Sequence, residues 1–221
     1  MNWQGRAVVT DPDVFAVGDV NELLDRDRGG TAVMGRHRSG KDGKQYQVAT
    51  SVLLMDCARL KHWDVERDFD QLFSREKDYK EWMVLAYEDP ANIGYLEDFW
   101  NDFDHLDENT RLIHNTKRKT QPWKTGLPVD YTPADKFKDK PLLASLNRLR
   151  ARVFGEYGLL GHYKAHPDRK QEEFFFGLLK ECIETGHISE DLVRDEIRSN
   201  HVRHDAFEVL DRTPSLAARA A

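Results

Sequence analysis

The 221-residue chain has little cysteine, no excess of positive charge and no long apolar run. Its two cysteines, Cys57 and Cys182, lie far apart in apolar segments, which excludes a disulfide-rich scaffold and predicts reduced core thiols. The formal net charge of -6 disfavours general nucleic-acid binding, which needs a net basic surface. The longest apolar stretches, residues 52–55 and 174–179, are too short to span a bilayer, and the first residues do not resemble a signal peptide. We therefore expect a cytoplasmic protein without an integral membrane segment.

The composition is that of a globular protein, with 39% hydrophobic and 33% charged residues. Short apolar strands alternate with helical patterns in the first part of the chain, which predicts an α/β fold. From residue 142 onward, apolar residues recur at helical spacing, which predicts an all-helical C-terminal extension. The predicted organisation is a domain over residues 1–131, a linker over 132–141 and the helical extension over 142–221, with a disordered tail from about residue 213.

An acidic pair, Asp11 and Asp13, follows the first predicted strand. Residues 7–9 are apolar and suit a buried strand, and Pro12 cannot donate to a strand ladder, so the strand should stop there and expose both acids. Acidic residues at the carboxyl end of a strand are a common metal site. An Asp-Pro-Asp sequence is also an ordinary turn. The residues alone leave both interpretations open.

Two further segments predict strands near potential ligands. Residues 46–56 are the most strand-like segment, and we expect them to lie inside a sheet. Residues 110–115 predict a short strand that ends in a histidine, His114. Residues 35–44 match a phosphate-binding loop in spacing but have Asp42 where Ser or Thr belongs, and turn residues follow instead of a helix. We interpret that segment as a basic surface loop.

Three motifs, taken in order, resemble the GT-A glycosyltransferases of family 8. Asp11-Pro-Asp13 resembles their D-x-D motif, within a strand, D-x-D, short strand and first helix over residues 6–24. Ala49 to Asp56 resembles their small-residue turn leading into a core strand. His114 to Trp123, which ends in Gln-Pro-Trp, resembles their H-x(n)-K-P-W block. The resemblance covers residues 6–131 and implies a partial GT-A-like mixed sheet with flanking helices.

The resemblance implies a divalent-metal-dependent enzyme that moves a sugar from a nucleotide-sugar donor, a UDP-sugar, to a saccharide or other hydroxyl acceptor with retention. It implies Asp11, Asp13 and His114 as the metal ligands. A divalent ion neutralises the charge that develops on a diphosphate leaving group. Carboxylate oxygens suit Mn²⁺ or Mg²⁺, and an imidazole nitrogen favours Mn²⁺.

The resemblance also implies donor-binding and catalytic side chains. Asp89 is the candidate for orienting the transferred sugar. In an inverting enzyme an acid such as Asp89 would instead deprotonate the acceptor, and the sequence does not decide between retention and inversion. Gln121 stands where the family has its phosphate-binding lysine, and its spacing from His114 is one residue longer than in the family. The candidate donor-binding residues are Asp11, Asp13, Thr50, Ser51, Lys117, Lys119, Gln121, Trp123 and Lys124.

The family places the base- and ribose-binding half of its fold before the D-x-D, and little sequence precedes Asp11 here. We therefore expect the sequence to be a fragment or to have a start codon placed too late. Two other functions stay open: a catalytically silent binding or scaffold module, and a metal-dependent phosphohydrolase that uses Asp11, Asp13 and His114. The sequence does not determine the donor sugar, the acceptor or the oligomeric state.

Overall fold

The computed structural model describes residues 4–38, 48–131 and 161–216, together with Ser145, Leu146, Leu149 and Val153. The chain divides into two compact units, Met1–Thr116 and Lys117–Ala221. This division falls before residue 131, the predicted end of the first domain, so the block that begins at Lys117 belongs to the same unit as the C-terminal helices. The predicted linker over 132–141 and most of the helix predicted after it lie outside the described residues.

The strands described in the first unit form two sheets. They are β1 (Arg6–Thr10), β2 (Val14–Ala16), β3 (Val33–His37), β4 (Val48–Asp56), β5 (Ile93–Leu96), β6 (Asp102–Phe103) and β7 (Leu112–His114). The first sheet has the order β1-β4-β3-β5, in which β4 is antiparallel to both neighbours and β3 is parallel to β5. The second has the order β2-β7-β6, with β2 antiparallel and β6 parallel to β7. This mixed arrangement confirms the α/β class, and β4 lies inside its sheet as expected.

Both faces of β4 are buried, which explains its nearly continuous apolar sequence. Val52 and Leu54 pack in one cluster with Leu23 and Trp100. Leu53 alternates to the opposite face, where a second cluster forms. Each fully buried side chain of this size stabilises the fold by roughly 1.5–3 kcal/mol, so the centre of the first unit lies along this strand.

The segment Ala49 to Ser51 lies within β4, so the small-residue turn expected there is wrong. The pairing of β4 with β3 is nevertheless irregular at this place, because the register shifts between Gly35 and Arg36. A side chain at Gly35 would put its Cβ 2.4 Å from the side chain of Val48. Any larger residue at position 35 would therefore require the side chain of Val48 to shift.

Short helices flank the sheets of the first unit. They are α1 (Asn21–Leu24), α2 (Val65–Phe73) and α3 (Tyr79–Met83). Asp64 and Asp78 cap α2 and α3 by accepting hydrogen bonds from backbone N–H groups of the first turn. The helical spacing in the sequence predicts these elements, and the caps set where two of them begin.

The second unit contains α4 (Arg169–Glu184), α5 (Glu190–Arg198) and α6 (Ala206–Arg212). Asp168 caps α4 and Ser189 caps α5. Within the predicted helical extension, the apolar spacing of residues 189–210 is divided between α5 and α6. The disordered tail is predicted to begin at about residue 213, and of the residues described there Thr213 and Ser215 are buried. No helix among the described residues is long and apolar enough to cross a membrane.

Candidate metal centre

The Asp11-Pro-Asp13 segment joins the two sheets of the first unit. The backbone N–H of Asp11 donates to the carbonyl of Ser51 in β4, at 2.9 Å. The carbonyl of Asp13 accepts from the N–H of Asn115 just after β7, at 3.1 Å. The first acid is therefore anchored on one sheet and the second acid on the other.

His114 lies beside this segment because β2 and β7 pair. Val14, the residue after the acidic pair, is directly opposite His114 in the ladder. His114 is 8% exposed, and its Nε2 lies 3.3 Å from Oδ1 of Asp13. One potential ligand atom from each of Asp11, Asp13 and His114 lies within 4.8 Å of the other two. The structure thus brings together the three side chains that the sequence resemblance implies as ligands.

This donor set suits a divalent ion with octahedral preferences. Adjacent ligand atoms around such an ion are about 3 Å apart, given metal–oxygen distances of about 2.1 Å. The separation of 3.3 Å between Asp13 and His114 is already close to that value. Asp11 is exposed and Asp13 is half-buried, so both carboxylates are open to an ion from solvent. Two carboxylates and one imidazole fit Mn²⁺ and also admit Mg²⁺.

A residue absent from the sequence candidates, Asn101, supports the histidine. Asn101 is fully buried, and its Oδ1 lies 3.1 Å from Nδ1 of His114. Its Nδ2 donates to the hydroxyl of Ser51 at 2.9 Å. Ser51, a candidate donor-binding residue, is thus placed behind the histidine. Nothing in the local sequence marks Asn101, because asparagine is also a common turn residue.

The other first-unit candidates lie elsewhere on the fold. The hydroxyl of Thr50 donates to the carbonyl of Met83 at 2.9 Å. Asp89 caps the short 3₁₀ turn Pro90–Asn92, which leads into β5. Because β5 begins level with the first residues of β1, Asp89 and Asp11 lie beyond opposite ends of the sheet. The structure does not bring Asp89 to the metal-ligand group.

The remaining donor-binding candidates, Lys117, Lys119, Gln121, Trp123 and Lys124, belong to the second unit. Later segments of that unit hold their backbone. The carbonyl of Lys119 accepts from the N–H of Lys164, and the carbonyl of Trp123 accepts from the N–H of Arg203, both at 2.8 Å. The Trp123 ring packs on Phe175 of α4, with 5.0 Å between ring centroids. The loop is therefore shaped by the C-terminal extension.

Lys124 is engaged in an ion pair within this loop. Its ammonium group donates to Asp130, which also accepts from the hydroxyl of Tyr163. Burial favours the neutral acid, but the hydrogen bonds from Lys124 and Tyr163 outweigh it and lower the pKa of Asp130. Burial and the same carboxylate raise the pKa of Tyr163. Lys124 thus has a structural partner inside its own unit.

A second cluster, formed by Asp102, His105 and Asp107, also has metal-ligand spacing. Its carboxylates already serve the loop: Asp102 accepts from the hydroxyl of Thr110, and Asp107 accepts from the backbone N–H groups of Asn109 and Thr110. We assign no ligand to this cluster.

No family model matches the chain, and no curated protein matches it. Among solved structures, the chain is similar to the galactosyltransferase LgtC in complex with donor and acceptor sugar analogues, with 15% identity over 53% of this chain and 54% of that one and a TM-score of 0.42. It is similar to the glycosyltransferase GlyE of Streptococcus pneumoniae, with 16% identity over 54% of this chain and 35% of that one and a TM-score of 0.43. An active-site mutant of LgtC gives 15% identity over 63% and 61% and a TM-score of 0.43.

The chain spans between 35% and 61% of the length of these solved glycosyltransferases. Each is a glycosyltransferase, the class that the sequence motifs resemble. The assignment of a function to this chain rests on the side chains of the candidate metal centre.

Proposed function

We propose that this chain is part of a divalent-metal-dependent glycosyltransferase. The observation that carries the proposal is the convergence of Asp11, Asp13 and His114, from two different sheets, on one place with their ligand atoms within 4.8 Å. A bound Mn²⁺ or Mg²⁺ would supply a positive charge for the diphosphate leaving group of a nucleotide-sugar donor. The proposed donor is a UDP-sugar, and the proposed acceptor is a saccharide or another hydroxyl compound.

The three ligands have different parts in this proposal. His114 is buried and hydrogen bonded, so it is a fixed ligand, whereas Asp11 is exposed and can adjust to the ion. Asp13 lies between them in exposure and contacts the histidine. A site with one fixed nitrogen and two adaptable carboxylates suits an ion that must also accept phosphate oxygens from a donor.

We propose, from the family resemblance, that the Lys117 to Lys124 loop binds donor phosphate through one of its cations, since Gln121 occupies the position of the family lysine. Lys124 is bound to Asp130, and the guanidinium of Arg118 lies over the ring of Tyr131 at 5.5 Å. Lys119 is half-exposed, and its backbone is fixed by Lys164, so it is our candidate. An ammonium group on a fixed loop can form charge-assisted hydrogen bonds with phosphate oxygens.

The proposed transfer proceeds with retention, which removes the need for a strong general base near the acceptor. Asp89 is therefore not required as a base, and its place beyond the opposite end of the sheet from Asp11 gives it no part in the proposed metal chemistry. We propose metal binding and slow hydrolysis of the donor for this chain itself.

The experiment titrates Mn²⁺ into the full chain and then measures hydrolysis across a panel of UDP-sugars, with wild type and Asp13→Ala in parallel. We expect saturable Mn²⁺ binding and slow sugar release in wild type, both lost in Asp13→Ala. Equal binding by the two proteins would overturn the metal assignment. Release of phosphate from simple phosphate esters, without UDP-sugar hydrolysis, would favour the phosphohydrolase. Metal binding without turnover of either substrate class would favour a silent binding module.

A further inference from the structure

We propose that Asn101 is a positioning residue that fixes the orientation of the His114 ring and its tautomer. This inference rests on the proposed metal site and adds a residue to it. A metal-binding histidine uses one ring nitrogen for the ion, and the hydrogen bond at the other nitrogen decides which one remains available.

The contacts of Asn101 assign its two polar atoms to different partners. Nδ2 can only donate, and it lies 2.9 Å from the hydroxyl of Ser51. Oδ1 can only accept, and it lies 3.1 Å from Nδ1 of His114. With the amide in this orientation, Nδ1 of His114 must carry the proton. The lone pair that can bind an ion is then on Nε2, the nitrogen 3.3 Å from Asp13.

The rest of the environment keeps this amide in place. Asn101 has no exposed surface, so water does not compete for its side chain. The backbone carbonyl of Asn101 accepts a hydrogen bond from Nη1 of Arg36 at 2.7 Å, and Nη2 of the same guanidinium pairs with Asp98 at 2.9 Å. The ring of Phe103 meets the His114 ring edge to face, with 5.5 Å between centroids. The imidazole is thus confined both by a hydrogen bond and by packing.

If Asn101 has only a structural role, its variants should rank differently in Mn²⁺ affinity than if it positions His114. If Asn101 only fills space, the near-isosteric Asn101→Leu should be tolerated better than Asn101→Asp, which places a charge in a fully buried site. If Asn101 must accept from Nδ1, the aspartate keeps the acceptor and the leucine loses it. Carboxylate partners of metal-binding histidines serve in this way, and loss of such a partner weakens metal binding about 10- to 100-fold.

The first measurement is the Mn²⁺ dissociation constant of the full chain by electron paramagnetic resonance. We expect Asn101→Leu to bind about 10- to 100-fold more weakly than wild type and Asn101→Asp to stay close to wild type. Asn92→Leu is the matched control, because Asn92 is also an asparagine of the first unit whose side chain binds two partners, Glu88 and Arg59. The control should bind Mn²⁺ as wild type does. Equal affinity in wild type and Asn101→Leu would overturn the proposal.

The second measurement needs no variant and no metal. In the metal-free full chain labelled with ¹⁵N-histidine, we expect a proton on Nδ1 of His114 that exchanges slowly with water, because its acceptor is buried. Detection of Nδ1 without a proton would overturn the inference even if Mn²⁺ binds. A protected Nδ1 proton in a protein that binds no Mn²⁺ would leave the positioning role standing and refute the proposed function.

Discussion

The replacement Asp11→Asn separates the metal-binding role of the acidic pair from its effect on stability. The carboxylates of Asp11 and Asp13 offer ligand atoms no more than 4.8 Å apart, so they repel each other in the metal-free protein. At that separation Coulomb's law gives about 1 kcal/mol in a water-like dielectric, which suits an exposed residue such as Asp11. The asparagine keeps the backbone bond to Ser51 and removes the charge. We therefore expect Asp11→Asn to stabilise the metal-free protein by up to about 1 kcal/mol.

Metal binding should reverse the order of the two proteins. An ion present at about 100 times its dissociation constant stabilises the folded state by about 2.7 kcal/mol. For a unit of this size, 1 kcal/mol corresponds to roughly 4 °C in melting temperature. Thermal melts at low salt should show wild type rising by about 10 °C with Mn²⁺. Asp11→Asn should start up to about 4 °C higher than wild type without metal and gain little when Mn²⁺ is added.

Asp89→Asn is the matched control for this experiment. Asp89 is an exposed aspartate in the same unit, and asparagine caps a helical turn as well as aspartate does. Its melting temperature and its Mn²⁺ response should equal those of wild type. A metal-free Asp11→Asn that melts below wild type and still gains about 10 °C with Mn²⁺ would refute both the repulsion and the ligand assignment.

Two further outcomes test the second unit. Lys119→Ala should raise the KM for a UDP-sugar about tenfold, as expected for loss of one charge-assisted contact, and should leave the melting temperature unchanged. Lys124→Ala should lower the melting temperature, because it leaves Asp130 without its ion-pair partner. If steady-state kinetics and thermal melts show the opposite pattern, the two lysines exchange their proposed roles. Hydrogen bonds from Arg203 outweigh burial and lower the pKa of Asp205, so their stabilisation is complete above the unfolded value of about 3.9 and is lost as pH falls through the lower folded value. Asp205→Asn should therefore lower the free energy of unfolding by about 1 kcal/mol at pH 7 and leave it unchanged below the folded pKa, as measured by urea unfolding at a series of pH values.

The strands near the metal centre could be predicted because their causes are local. The continuous apolar run of β4 reflects burial on both faces, and Pro12 ends pairing after β1 because it has no N–H to donate. The pairing of β2 with β7, which brings His114 to the acids, was not predicted, and only the family resemblance grouped His114 with Asp11 and Asp13. A histidine at the end of a short strand does not by itself specify its partner strand.

Other features depend on contacts between distant residues and could not be predicted. Asn101 acquires its role only when β6 and β7 align and β4 supplies Ser51 behind it. Lys124 has a structural role because it pairs with Asp130. In the sequence, a lysine and an aspartate at this separation look like ordinary residues of a surface loop. Apolar residues also recur at helical spacing across the break between α5 and α6, because such spacing does not show where one helix ends and the next begins.

Pro12 lies in the short connection between the two sheets that carry the metal centre. Asp11 is fixed to β4 by its backbone, and Asp13 is fixed next to β7 by its carbonyl. The single residue between them is Pro12, whose fixed φ restricts the conformations that this connection can adopt. The distance between the two carboxylates therefore depends on the relative position of the two sheets. An ion that binds both acids and His114 would in turn hold the sheets together, so that metal binding and the stability of the first unit are coupled through one three-residue segment.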